Sequence, residues 1–455
     1  MADIQLKNMQ YDDLNADTYQ LLSTFYHLYT ALQLDYRTQL TDVESKLAAQ
    51  FILTRTKRLY LRLKSKLTID NIRQNPNKVR SILSRSRRRL IVLKKQVASL
   101  STPDQKAIEN SLNRYHDSIS GVYQETMLVS SFSGLIQLIY FALVQTHDAV
   151  TIYVGKHVSE RTKRFYSLLS DRVIWINDKD IYSLKQVWDT PGPIALVVDC
   201  VGEGCSGGSF PLNKFLSKCL LLNRKDPFYF ILDSTAVGPT VHPSDYLSRR
   251  QFPLWFQWLV IRDLNGIDQE GIDLSSMASI TYFGKHKRQF LPLKSLMNVM
   301  GQDVSVFSLG QLSIMGQNRC EQRLARHHRN GERLYQRGLL FIQREKTLLN
   351  VITMTAHRGD FIASMGVVCI KVSPLLQLSV SETLDRVIAL WRAKGLENGI
   401  RVDLGGCRGR AVTSVVRKDV YRGTSYIQIS PGHEDAGLFE DIIDMLVNVF
   451  SELTS

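Results

Sequence analysis

FYFILDSTAVGPTVHP, residues Phe228 to Pro243, opens on an unbroken apolar and aromatic run, stops at Asp233-Ser234-Thr235 and reaches Gly238-Pro239. A run without polar alternation suits a strand buried on both faces, and the Gly-Pro pair marks the turn that ends it. Four other runs share this texture: AVTIYV (149–154), RVIWIN (172–177), IALVVDCV (194–201) and WLVIRDL (258–264). Helical segments separate them. Such alternation predicts an α/β fold, with a mostly parallel sheet covered by helices on both faces.

Outward from this block the chain changes character. Its 455 residues are 44% hydrophobic and 22% charged, an ordinary globular composition long enough for two or three domains. Residues 1–115 read as a helical, basic N-terminal region, in which Leu21, Leu22, Phe25, Tyr26, Leu28 and Tyr29 recur at helical spacing. Two basic blocks follow, RTKRLYLRLKSKL (Arg55 to Leu67) and KVRSILSRSRRRLIVLKKQ (Lys78 to Gln96). In the second, apolar residues keep a helical period while Arg85, Arg87, Arg88, Arg89, Lys94 and Lys95 form a cationic face. Such a face is either solvated or binds phosphates or an acidic protein. No helix-turn-helix, zinc-finger or RNA-binding motif accompanies it. Residues 116–309 hold the large α/β block, 310–346 one long inter-domain helix, and 347–455 a small C-terminal α+β domain.

The net charge of +14 points to anionic partners. Six scattered cysteines without a CxxC pair, and no histidine at ligand spacing, suggest reduced thiols and no metal site. MADIQLKNMQYDD lacks signal-peptide texture, and Met127 to Val144 is too short and polar for a membrane span. The expected location is the cytoplasm. His327-His328, in a basic helical stretch, reads as surface.

The order of elements from residue 116 to 455 resembles fold-type I pyridoxal phosphate (PLP) enzymes of the aspartate-aminotransferase fold, most closely the cystathionine synthase and lyase branch. SSFSGLIQLIYFAL (Ser130 to Leu143) is similar to the family's phosphate-holding turn into a helix, which assigns Ser133, Gly134 and Leu135 to the cofactor phosphate. Asp-Ser-Thr followed by Gly-Pro is similar to the strand end whose aspartate pairs with the pyridine nitrogen; here that is Asp233, with Thr235 beside it. Asp199 ends the preceding strand, and His157 is the ring nearest the stacking position. The resemblance implies a seven-stranded type of sheet, a dimer and an amino-acid substrate.

Two positions depart from the pattern. Sliding it back from Gly271-Ile272-Asp273-Leu274 sets Gly266 where the family has its catalytic lysine, and no lysine occurs between Asp226 and Gly284. The next are Lys285 and Lys287. In SYIQISPGHEDAGLFEDIIDML (Ser425 to Leu446), Gln428 stands where the family's arginine forks onto the substrate carboxylate. These departures imply a pseudoenzyme: a noncatalytic or scaffold subunit, as a homodimer or with a catalytic PLP-fold relative, with PLP non-covalent or absent. One alternative is an active PLP-dependent amino-acid transferase or lyase using Lys285 or Lys287. A second is a binder of nucleic acid or an acidic partner through the basic helices.

Overall fold

The computed structural model describes residues 11–26, 28–29, 43–98, 105–114, 119, 121–169, 173–201, 210–238, 245–246, 252–264, 276–287, 291–304, 308–309, 320–344, 352–356, 368–372, 380–397, 413–420, 424–432 and 434–454. The chain divides into two compact units. The first comprises Met1–Asp104, Ser305–Asn318 and Asp435–Ile442; the second comprises Gln105–Val304, Arg319–Glu434 and Ile443–Ser455.

The first unit is helical: α1 (11–26), α2 (Val43–Lys66), α3 (Ile69–Gln74) and α4 (Pro76–Ala98). Thr68 accepts the Asn71 N–H and caps α3, while Pro76 opens α4, where its missing N–H costs nothing. Leu14, Leu21, Phe25, Ile52, Leu63, Val79, Leu83 and Leu90 form the shared core. The arginines of α4 that turn toward this unit are paired. Arg80 forks onto buried Asp435 at 2.7 and 2.9 Å, and Arg87 meets Asp17 at 3.2 Å. Asp435 also accepts the N–H groups of Gly437 and Leu438, and Asp13 accepts that of Ala436. Two carboxylates thus cap one helix start, where the dipole favours negative charge.

The second unit holds a seven-stranded sheet among the described residues, in the order β1-β7-β6-β5-β4-β2-β3. Its strands are β1 (Tyr123–Val129), β2 (Thr151–Gly155), β3 (Val173–Ile176), β4 (Ile194–Asp199), β5 (Phe228–Asp233), β6 (Phe256–Asp263) and β7 (Ala278–Gly284). The neighbours β3, β2, β4, β5 and β6 pair in parallel, whereas β7 runs antiparallel to both β6 and β1. Six strands therefore end on one edge. The side chains of β5 divide as a doubly covered strand requires: Phe228, Phe230 and Leu232 enter one core and Ile231 the other. The first face packs on α8 (Ile181–Asp189) and α9 (Leu212–Cys219), the second on α6 (Phe132–Thr146), α7 (Glu160–Ser167) and α10 (Leu291–Val299).

Residues missing from the strand pattern read in the sequence form β1 and β7. YQETMLV opens polar because Gln124 and Thr126 bond Asn113 of α5 (Gln105–Arg114), and the hydroxyls of Thr126 and Thr281 meet at 2.9 Å. A second, antiparallel sheet runs β10-β11-β9-β8: β8 (Ile352–Ala356), β9 (Val368–Val372), β10 (Ser414–Val420) and β11 (Thr424–Ser430). The long helix expected at 310–346 is described as α11 (Cys320–Arg344); α12 (Val380–Glu397) and α13 (Ala436–Thr454) complete the elements. His327 is not on the surface but 1% exposed, its Nδ1 2.6 Å from the Pro431 carbonyl, and buried Asn330 donates to the carbonyls of Gly432 and Glu434. The basic character of the stretch concealed that this side chain satisfies an irregular turn.

Glu125 sits between Lys294 and Tyr123, hydrogen-bonded to both. Burial alone would raise its pKa, but the bonds from Lys294 and Tyr123 carry it below the usual carboxylate range. The stabilisation is therefore present above the ordinary glutamate pKa and is lost as pH falls through the lowered value. Glu125→Gln is expected to cost about 1.5–3 kcal/mol near neutral pH, the worth of a charged hydrogen bond. Thermal melts of both proteins should converge on acidification.

Candidate functional site

The register decides which chemical groups share an edge. Asp199 at the end of β4 pairs with Asp233 at the end of β5, and Asp233 is level with Ile261 of β6. Because β1 is parallel to these strands, its end delivers Ser130 and the start of α6 to the same edge. Asp263, ending β6, and His157, just past β2, belong to it as well.

Asp233 is 4% exposed, and its Oδ1 accepts the Thr235 N–H at 2.8 Å. The Thr235 hydroxyl accepts the Asp263 N–H at 2.9 Å, and Asp263 pairs with Arg161 at 2.6 Å. Asp199, also buried, accepts the Ser159 N–H at 2.9 Å, which ties the β2–α7 turn to the end of β4. Between the two aspartates lies the fully buried Cys200. Burial, then the charges of Asp233 and Asp199, push its thiol well above the ordinary value, so it stays protonated.

His157 is oriented from below. Its Nδ1 lies 2.7 Å from Oδ1 of Asp178, which is 1% exposed and also accepts the His157 N–H at 3.3 Å. Asp178 fits because Gly155 has no side chain; a Cβ there would stand 2.6 Å from its carboxyl carbon.

At the start of α6, Ser131 is the N-cap and accepts the Gly134 N–H at 3.0 Å. The Leu135 N–H is spent on the Ser131 carbonyl and its side chain is fully buried in the core, so Leu135 offers no phosphate contact, contrary to the sequence expectation. The N–H groups without an intrahelical acceptor belong to Phe132 and Ser133. Ser133 is exposed. Gln302 closes this turn: its carbonyl accepts the Ser130 N–H at 3.0 Å and its Oε1 the Ser130 hydroxyl at 2.7 Å. Sequence reasoning missed Gln302 because it lies 172 residues from Ser130 and matches no motif.

Other sequence-derived positions stand apart from this edge or outside the described residues. Gly266 lies outside the described residues. Lys285 and Lys287 follow β7 at the opposite edge. Ile280 is level with Asp233 through Ile261, and Lys285 comes five residues later, about 17 Å at ~3.4 Å per residue. Gln428 is buried on β11 and donates to the Ser430 hydroxyl at 3.1 Å; Tyr426, on the same strand face, joins the core that contains Trp258. Arg85, Arg88 and Arg89 are exposed and Arg87 is paired, whereas the side chains of Lys94 and Lys95 lie outside the described residues. Among the described residues, no three His, Cys, Asp or Glu side chains gather as for a metal. No helix among them is long and apolar enough to cross a membrane.

No family model and no curated protein matches the sequence. Solved structures do match in three dimensions. Cystathionine gamma synthase from Xanthomonas oryzae pv. oryzae, in complex with cystathionine, has a TM-score of 0.57 at 12% identity, over 77% of this chain and 86% of that one. Cystathionine gamma-lyase from yeast has a TM-score of 0.57 at 11% identity, over 77% and 86%. A cystathione gamma lyase from Micromonospora echinospora has a TM-score of 0.56 at 10% identity, over 76% and 86%. The chain thus has the fold of fold-type I PLP enzymes, with a mixed sheet covered by helices.

A Cβ on Gly134 would fall 1.9 Å from Gln302 Oε1. Gly134→Ala is expected to push that carboxamide off Ser130 and cost about 1 kcal/mol, one hydrogen bond. In a Gln302→Ala background the same change should cost much less in a denaturation experiment.

Proposed function

We propose that this chain binds PLP at the strand-end edge of the large sheet and takes part in the amino-acid chemistry of PLP-dependent lyases and synthases. One observation carries the reading: buried Asp233 lies level with Asp199 on the edge where α6 begins. The residues fit the group. A buried carboxylate can pair with a protonated ring nitrogen, and the N–H groups of Phe132 and Ser133, at the positive end of a 15-residue helix, suit a phosphate. His157, held by Asp178, supplies a ring for stacking. When bound, PLP supplies an electron sink. Thr235 would keep the Asp233 carboxylate oriented, since its N–H already holds one oxygen.

The names of the solved neighbours are those of synthases and lyases, which supports an active PLP-dependent lyase or transferase. Such activity needs an amine. The stretch from Asp226 to Gly284 contains no lysine, and the register separates Lys285 and Lys287 from Asp233 by most of the strand length. The amine of an active form would then come from another lysine of this chain or from a partner subunit. A second reading rests on Gly266 and Gln428: a noncatalytic subunit that holds PLP without a covalent bond, in a homodimer or beside a lysine-bearing relative.

Titration with PLP, followed by borohydride reduction and peptide mass mapping, separates the two. A pyridoxyl mass retained on a lysine peptide supports the enzyme and identifies the lysine. A shifted PLP spectrum with no retained mass supports the noncatalytic subunit. A spectrum equal to free PLP plus protein would sink both. Asp233→Ala is expected to weaken PLP binding about 10- to 100-fold, the loss of one charged hydrogen bond of roughly 1.5–3 kcal/mol.

A further inference from the structure

The charge of this protein is concentrated. Helix α2 carries seven basic residues and one acidic, and α4 carries eight basic and none, a surplus of fourteen that equals the net charge of the whole chain. Elsewhere basic and acidic residues balance. Two of the α4 arginines, Arg80 and Arg87, are consumed in ion pairs with Asp435 and Asp17. The others are left for solvent or a ligand, and so is most of the charge of α2.

We infer that the groove between α2 and α4 is a binding site for single-stranded nucleic acid, with arginines on the phosphates and Phe51 beneath a base. On α2, Phe51, Arg55, Arg58 and Arg62 recur at i, i+4, i+7 and i+11, which aligns them on one helical face, and all four are exposed. Arg89 of α4 stands across from them. Phe51, Arg55, Arg58, Leu59 and Arg89 line a cleft of about 700 Å³. Among the described residues, Arg55, Arg58 and Arg89 form no ion pair. Phe51 is 64% exposed, which leaves its ring free to take a stacking partner.

The chemistry selects among anions. The cationic residues in the cleft are all arginines, whose planar guanidinium forks onto phosphate and also stacks on flat rings. A positive groove with an aromatic platform is the arrangement that recognises unpaired bases along a backbone. A bilayer surface is broad and would leave a recessed cleft unfilled. An acidic peptide satisfies the arginines but uses Phe51 only where it carries an aromatic side chain, whereas every nucleotide brings a flat ring beside its phosphate. The cleft belongs to the helical unit and owes nothing to the PLP reading.

The test is fluorescence anisotropy of the full-length protein with a labelled short oligouridylate, at several salt concentrations. Three phosphate contacts on a single strand predict a log–log salt slope of about −2, at ~0.7 per contact. Arg55→Gln/Arg58→Gln/Arg89→Gln should abolish that slope and lower affinity at least 30-fold, while the triple Lys variant keeps the slope. Phe51→Ala should lower affinity about 5-fold or more with the slope unchanged, as for one lost base stack. All four positions are exposed, so unchanged melting temperatures are expected. Equal binding by wild type and the Gln variant would overturn the assignment. So would tighter binding of poly-glutamate or phosphatidylserine vesicles than of the oligonucleotide at equal ionic strength.

Discussion

The pairing of β4 with β5 is the constraint on which the rest of this molecule depends. It sets Asp199 opposite Asp233 and gives both strands the same end. Every other contributor to the edge is placed relative to these two. Ser159 is tied to Asp199, Cys200 donates its N–H to the Asp233 carbonyl, and Ser234 donates to Ile261 of β6. A slip of β5 by one residue would turn Asp233 to the other face of the sheet and carry the phenylalanines of β5 with it. Burial of Phe228, Phe230 and Phe256 without exposure makes that slip expensive.

Burial also explains the chemistry of the edge. Two carboxylates held away from water need partners, and backbone N–H groups are among those the chain supplies: Ser159 for Asp199 and Thr235 for Asp233. An arrangement of this kind holds the Cys200 thiol protonated. It suits a cationic ring nitrogen and would not suit a thiolate nucleophile. Nearby, the exposed Arg161 pairs with Asp263, and Asp178 holds the His157 ring.

The helical unit follows a different logic. One side of α4 packs on its neighbours and spends Arg80 and Arg87 on buried aspartates; the other side keeps its arginines for solvent. Breaking the Arg80–Asp435 fork would strand a buried carboxylate and unsettle the start of α13 at once, because Asp435 also caps it. Charge in this unit therefore has two uses, and which arginine has which use follows from helical phase.

Much of this was legible in the residues themselves. Unbroken apolar runs identify β2 to β6, because a strand covered on both faces needs no polar alternation, and Asp-Ser-Thr with Gly-Pro marks where β5 must stop. The amphipathic period of α4 is equally local. Strands β1 and β7 were not legible, since their polar residues find partners in each other, in Asn113 and in Lys294. Nor was Gln302, which reaches Ser130 across 172 residues, or the burial of His327 against Pro431. The same holds for Lys285 and Lys287: the sequence offers them as the first lysines after Gly266, but an antiparallel β7 carries them to the far edge. Local pattern determined most of the strands and helices; strand direction and long-range pairing, available only in three dimensions, decided the rest and which side chains meet.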